Sequence, residues 1–283
     1  MIAVTGPTGN VGRALVERLA AAGRPVRALT RDPLRARLPA AAEAVRLDPG
    51  DPALFEGATK LFLYVQAGGD HTPRLLAAAR AAGVRHVVLL SSGIIDSGAA
   101  ESHPIHVLHA TAEQHVRDSG LAWTFLRPNA FAANAFQWAP QIRAGDTARG
   151  VFADGRSAPI HEDDIAAVAE RALLDDGHEG AAHRLTGPEA ITNAGQVTAI
   201  GTALGRELRF AEVSPDEAGP ELFPHVPPDM LQALLKSFAA TVGTPPEITA
   251  TVREITGRPA RPFAVWAEDH AGDFKGEEQS STG

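Results

Sequence analysis

The sequence predicts an α/β fold: a doubly wound parallel sheet with a smaller, mostly helical C-terminal lobe. Three observations predict it. The first half of the chain alternates short β-rich runs with helical ones, the pattern of a parallel sheet covered by helices on both faces. The first of these runs leads straight into Gly6-x-x-Gly9-x-x-Gly12 and then a helical stretch. Beyond Pro128 the alternation weakens, and helical segments are separated by proline-rich joints.

Taken in order, Ile2 to Thr5 is a short apolar strand, followed by a helix from about Val11 to Ala22 that stops at Gly23. Pro25 to Leu29 and Ala44 to Leu47 are the second and third strands, with a short helix at Ala53 to Phe55 before the fourth strand, Lys60 to Val65. A helix from Pro73 to Ala82 ends at Gly83, His86 to Leu90 is the fifth strand, and a helix from Ile105 to Ser119 ends at Gly120. Trp123 to Leu126 is the sixth. Right-handed crossovers join these strands into a sheet that holds ligands over their carboxyl ends. Further on, Ala182 to Leu185 extends the sheet. Helices at about Asp164 to Leu174, Gln196 to Leu204, Pro228 to Ala240 and Thr249 to Ile255 build the lobe, jointed at Pro224, Pro227, Pro228, Pro245 and Pro246. The expected organisation is a nucleotide-binding Rossmann core over residues 1–150 and a substrate lobe over 151–271 that includes the last strand. The polar stretch 272–283 is expected to be a disordered tail.

At 283 residues the chain is long enough for a full core. Its net charge of −8, with no run of Lys and Arg, disfavours a nucleic-acid partner. With no cysteine it has no disulfide framework, thiolate nucleophile or thiolate zinc site. No apolar stretch approaches the roughly 20 residues of a membrane span, and a strand that begins at Met1 leaves no room for a signal peptide, so a cytoplasmic protein is expected.

Strand, glycine turn and helix in that order form a phosphate cradle. The glycines let backbone approach a pyrophosphate, and the helix N-terminus offers unpaired N–H groups and the positive end of its dipole. Three glycines at this spacing would arise by chance in about one chain in four of this composition, so the position on the first strand carries the assignment. An acidic residue ending the second strand would select the ribose hydroxyl of NADH. Here the run is Thr30-Arg31-Asp32, and a guanidinium at Arg31, with Arg13 beside the glycine loop, suits a 2′-phosphate. NADPH is therefore expected over NADH, the plain alternative being that both arginines are solvated surface residues. Asp32, before Pro33, reads as a helix cap.

At these residues the chain resembles the NmrA-like atypical short-chain dehydrogenase/reductases. The resemblance is carried by Thr5-Gly6-Pro7-Thr8-Gly9-Asn10-Val11-Gly12, by Leu89-Leu90-Ser91-Ser92-Gly93, and by Ser119-Gly120-Leu121-Ala122-Trp123-Thr124-Phe125-Leu126-Arg127-Pro128-Asn129, and covers about residues 1 to 190. The segments Ile200 to Arg206 and Val252 to Phe263 are also similar to bacterial relatives of fungal ergot-alkaloid reductases, which reduce a cyclic iminium. The resemblance implies cofactor contacts from Thr8, Asn10 and Val11, from Val65 and Gln66 beyond the fourth strand, and from Ser91 beyond the fifth. It places Asn129 and Phe131 beside the nicotinamide. Ser91 is also an ordinary strand-ending turn residue.

One departure is informative. Standard members protonate a carbonyl oxygen with a Tyr-x-x-x-Lys pair, but the one tyrosine here is Tyr64 on the fourth strand, and aligning the helix by Glu113 puts Ile105 and His109 at those two positions. A hydride acceptor that needs no enzymic acid fits better: an iminium, an enone or a quinone. His106 and His109 share a helix face and are the candidate proton carriers, together with Ser91 as a catalytic candidate; most of the 11 histidines must be structural. Phe131, Phe136 and Trp138 suit either an apolar substrate wall or core packing, and Pro159 and His161 border the same pocket. The acids of His161-Glu162-Asp163-Asp164 complement a helix N-terminus rather than bind metal, and no metal site is expected. No Gly-x-Ser-x-Gly elbow supports hydrolysis. The expected function is an NADPH-dependent reductase of an apolar small molecule, in the manner of secondary metabolism. The alternatives are a redox sensor that binds the dinucleotide without turnover, and a redox-neutral cyclase or epimerase using His106 or His109.

Overall fold

A computed structural model describes residues 1–219, 222–223, 226 and 228–276. The chain divides into two compact units. The first comprises Met1–Asn129, Glu162–Leu185 and Ala250–Pro259; the second comprises Ala130–His161, Thr186–Thr249 and the residues from Ala260 on.

The first unit begins with β1 (Ile2–Thr5), α1 (Asn10–Ala21), β2 (Val26–Thr30) and β3 (Ala42–Arg46), and a 3-10 turn at Pro52–Phe55 leads to β4 (Lys60–Tyr64). There follow α2 (Val65–Gly68), α3 (Thr72–Ala81), β5 (His86–Leu90), a 3-10 turn at Gly93–Asp96, α4 (Pro104–Asp118) and β6 (Ala122–Pro128). The second unit receives the chain with a 3-10 stretch at Ala132–Trp138, α5 (Ala139–Ala144), β7 (Thr147–Gly150) and β8 (Arg156–Ser157). The chain then returns to the first unit as α6 (Glu162–Leu174) and β9 (Ala181–Leu185). It leaves for β10 (Ile191–Thr192), α7 (Asn193–Leu204), β11 (Arg209–Glu212) and α8 (Pro228–Ala239), adds α9 (Thr251–Thr256) to the first unit, and closes with α10 (Phe263–Asp269) and a 3-10 turn at Ala271–Phe274.

The seven strands of the first unit form one sheet in the order β3-β2-β1-β4-β5-β6-β9, every pair parallel. Strand order reverses between β1 and β4, and this crevice is where a doubly wound sheet takes its ligand. Because both faces are covered, the central strands are continuous apolar runs rather than alternating ones: β5, His-Val-Val-Leu-Leu, is buried at every position. The Thr5 hydroxyl ties the crevice together, accepting from the Tyr64 N–H at 2.7 Å and donating to the Phe62 carbonyl at 3.2 Å. On one face α6 packs against α1, and Arg18 pairs with Glu170 at 2.8 Å.

Three expectations need correction. The boundary expected at residue 150 falls at Asn129, and α6, expected in the lobe, belongs to the sheet unit, because the apolar face of β4 to β6 must be covered and Ile165, Ala166, Val168 and Ala169 are fully buried. The tail expected to be disordered from Gly272 begins with an ordered turn in which Phe274 is 1% exposed, held by the apolar core of the second unit. Residues 277–283 and the joints Pro224 and Pro227 lie outside the described residues. The lobe is helical as expected but also carries two small strand pairs, β8 with β10 and β7 with β11. Its main core gathers Trp138, Ile142, Val197, Ile200, Phe263, Trp266 and Phe274. No helix among the described residues is long and apolar enough to cross a membrane.

Phe125 is wholly buried in β6 and stacks on Trp123 with ring centroids 4.2 Å apart. Replacing it by Ala leaves a cavity in the sheet core and is expected to lower unfolding free energy by about 3–5 kcal/mol, measured by urea denaturation.

Candidate active site

The site begins at the turn from β1 to α1. Gly6 has φ of 64° and lies against Tyr64, whose Cδ1 would stand 3.0 Å from any Cβ there. A Cβ on Gly12 would run into the Gly6 carbonyl oxygen, so α1 starts in direct backbone contact with the turn. Gly9 occupies the N-cap with no side-chain hydrogen bond, and the first turn of α1 contains no acid. The ordinary means of satisfying the first N–H groups of a helix are therefore absent at this end, and Thr8, Gly9 and Asn10 are exposed. A pyrophosphate supplies what this end lacks, so the residues fit a dinucleotide. Val11 and Gly12 are buried beneath.

Arg31, just beyond β2, and Arg13 on α1 are exposed, and neither forms an ion pair or side-chain hydrogen bond among the described residues. Asp32, next along, pairs with Arg35 at 3.5 Å and accepts from the Leu34 N–H at 3.2 Å. Past β4, Val65 is buried and Gln66 exposed, its amide oxygen accepting from the Tyr64 phenol at 2.9 Å. Burial raises the Tyr64 pKa.

Ser91 follows β5 and is 1% exposed. Its N–H donates to the Leu126 carbonyl at 2.8 Å and its hydroxyl donates to Glu113 Oε1 at 2.7 Å. Sequence reasoning used Glu113 only to align the helix. In the structure it is 1% exposed and also accepts from Arg127 at both oxygens, at 2.8 and 2.6 Å, and from Arg117 at 2.9 Å. The remaining nitrogen of Arg127 reaches both oxygens of Asp96 at 2.8 Å. Burial works against the Arg127 charge, but the hydrogen bonds and charges of Glu113 and Asp96 outweigh it and raise the pKa. Asn129, exposed at the exit of β6, rests its amide oxygen against Gly93 where a side chain would stand.

His103 caps α4, its Nδ1 accepting from the Ile105 N–H at 3.2 Å. His106 is half-buried. His109, one turn before Glu113, has a buried Nδ1 with no hydrogen-bond partner in the structure, and burial lowers its pKa to about 4 against a partial offset from Glu113. It is a neutral imidazole at neutral pH.

In the second unit, a parallel bridge between Phe131 and Ile160 brings Phe131 beside Pro159 and His161. His161 is 4% exposed, with Nε2 3.2 Å from Asp269 Oδ2. Phe136 packs against Trp266, His270 and Phe274, with centroids 5.0, 5.2 and 5.7 Å apart. Trp138 is 3% exposed and edge-on to Phe210, so its ring surface is spent on core packing. No group of three or more His, Asp or Glu among the described residues is arranged to hold a metal ion.

The reversed strand order, the glycine turn and the open helix end define a dinucleotide-binding protein of the doubly wound class. Residues 6–176 match the family described as NAD(P)H-binding, and the chain belongs to it, as an atypical short-chain dehydrogenase/reductase. It is 42% identical over 281 residues to (4-alkanoyl-5-oxo-2,5-dihydrofuran-3-yl)methyl phosphate reductase of Streptomyces griseus, covering 97% of this chain and 99% of that one. To the NAD(P)H azoreductase of Xenophilus azovorans it is 35% identical, again over 97% and 99%. Among solved structures, the NADPH-dependent quinone oxidoreductase of Escherichia coli complexed with NADPH matches with a TM-score of 0.76 at 25% identity, covering 95% of this chain and 99% of that one. The protein is an NAD(P)H-dependent oxidoreductase.

His86, at the start of β5, shares the behaviour of His109. It is 3% exposed with Nε2 2.9 Å from the Thr124 hydroxyl, and burial, with a contribution from Lys60, lowers its pKa to about 4. Below the ordinary histidine pKa of about 6.5 the unfolded chain binds protons at both positions while the folded chain does not, so stability falls as pH drops from there toward 4. Denaturation midpoints measured across this range should show the loss, and His86→Gln with His109→Asn should flatten it.

Proposed function

We propose that the protein transfers hydride from NADPH to a conjugated small-molecule acceptor, such as an enone, quinone, iminium or azo compound, without an enzymic tyrosine acid. The observation that carries this is that α4 contains no tyrosine and that the single tyrosine, Tyr64 on β4, gives its phenolic proton to Gln66; the family resemblance aligns Ile105 and His109 with the tyrosine and lysine. Hydride addition to such acceptors yields a neutral amine or a stabilised anion that takes its proton from water, so the missing acid is no obstacle. The names of the relatives favour the same chemistry. A furanone carrying a double bond conjugated to carbonyls, an azo compound and a quinone are all electrophiles of this kind. Each of those names describes a reductase or oxidoreductase, which favours turnover over the sensing reading. A His109 that is neutral at neutral pH has no extra proton to donate, which weighs against the redox-neutral reading as it concerns that residue.

The chain's own residues are assigned as follows. Gly6, Gly9 and Gly12, with the N–H groups around Thr8, Asn10 and Val11, hold the pyrophosphate, and Arg31 with Arg13 holds the 2′-phosphate. Val65 and Gln66 line the bound dinucleotide and Asn129 lies beside the nicotinamide, while Phe131, Phe136, Pro159 and His161 are the second unit's own candidates for apolar and polar substrate surface. NADPH, when bound, supplies the hydride.

Purified protein mixed with NADPH and a panel of enones, quinones, imines and azo dyes should consume nicotinamide absorbance with at least one class. Failure across the panel would remove the reading. Arg31→Ala should raise KM for NADPH by about tenfold, the loss of one charge-assisted contact, while leaving KM for NADH unchanged. An equal effect on both cofactors would remove the phosphate assignment.

A further inference from the structure

We propose that Glu113 is a positioning residue for the nicotinamide half of the cofactor, acting through Ser91 and Arg127 on the loop after β5 and the exit of β6. The inference rests on the reading that NADPH is bound, and it follows from strand order. With the pyrophosphate at the β1 turn and the 2′-phosphate beyond β2, the other half of a dinucleotide must extend the opposite way, over the ends of β4, β5 and β6. Beyond Val65 and Gln66 at the end of β4, the segments met there in the first unit are Ser91–Asp96 and Arg127–Asn129.

Both segments are tied to one carboxylate. Glu113 accepts four hydrogen bonds, from Ser91, twice from Arg127 and from Arg117, which engages the full capacity of a carboxylate that is 1% exposed. Arg127 in turn uses all three nitrogens, two on Glu113 and one on Asp96 at the end of the turn after β5. One arginine of β6 thus bridges α4 and the β5 loop, while Asn129, two residues on, rests on Gly93 of that same loop. A buried ion pair contributes little net stability, because removing both charges from water costs about as much as their attraction returns. What the arrangement supplies is geometry: a planar fork that directs four of its five N–H donors at two carboxylates, one of them fully engaged, admits one relative placement of the loop and the strand end.

Ser91 takes a different part from the one its sequence position suggests. Its hydroxyl proton is given to Glu113, so it has none to give to a ligand, and the side chain is sealed from solvent. Its effect on the cofactor passes through the loop it anchors.

Titrating wild type, Ser91→Ala, Glu113→Gln and Asp96→Asn with NADPH and with adenosine 2′,5′-bisphosphate separates positioning from general damage, because the bisphosphate carries only the adenine half. Each variant should bind NADPH about tenfold more weakly, as expected for one hydrogen bond of about 1.4 kcal/mol, with bisphosphate affinity within about twofold of wild type. Parallel weakening of both ligands, or no change for NADPH, would overturn the proposal. Should Glu113→Gln fail to fold, Ser91→Ala and Asp96→Asn decide the matter, since both keep the Glu113–Arg127 pair. A wild type that binds the bisphosphate but not NADPH would overturn the proposal, and one that binds neither would instead remove the NADPH reading beneath it.

Discussion

The contact between Gly12 and the carbonyl of Gly6 is the constraint from which the rest of the ligand-binding end follows. It lets α1 begin directly against the end of β1, so that its first N–H groups face the crevice opened by the reversal of strand order. A methyl group at Gly12 would push the helix away from the turn. Tyr64 presses on Gly6 from β4, and the Thr5 hydroxyl holds β4 in place from within the sheet. The start of α1 is thus set by packing of Gly12 on Gly6, of Tyr64 on Gly6 and of Thr5 on β4, the preorganisation that the proposed pyrophosphate site requires.

A second fixed point lies two strands away. The Ser91–Glu113–Arg127–Asp96 network sets one buried carboxylate, Glu113, against one buried guanidinium, Arg127, with the exposed Asp96 and Arg117 adding one charge of each sign at its edge. The glycine turn and the ends of β5 and β6 are held by unlike means: backbone contact at the first, the buried Glu113–Arg127 pair at the second. His109 stands one turn from Glu113 as a neutral ring with an unpartnered nitrogen, in a helix that carries no tyrosine.

Much of this was legible in the chain. The central strands β1, β4 and β5 show as short apolar runs, because strands buried on both faces carry no polar alternation to blur them. The glycine spacing, its place on β1 and the arginine after β2 are local features, readable one segment at a time. The placement of α6 was not legible, since an apolar helix looks the same whether it covers a sheet or builds a lobe. The ordered Phe274 turn was hidden by its polar surroundings. Glu113 looked like any acid on an amphipathic helix, and Arg127 and Asp96 like surface charges.

Local sequence therefore determined the secondary elements, the glycine turn between β1 and α1 and the lack of any tyrosine on α4, because each depends on residues within one turn, one strand or one helix. The tertiary structure alone decided that Ser91 is an anchor rather than an exposed hydroxyl, that Trp138 belongs to a core, and that α6 belongs with α1. Those facts depend on partners 14 to 152 residues away, such as Arg127 for Glu113 and Glu170 for Arg18, and burial of a charge is a property of its surroundings that no single segment carries.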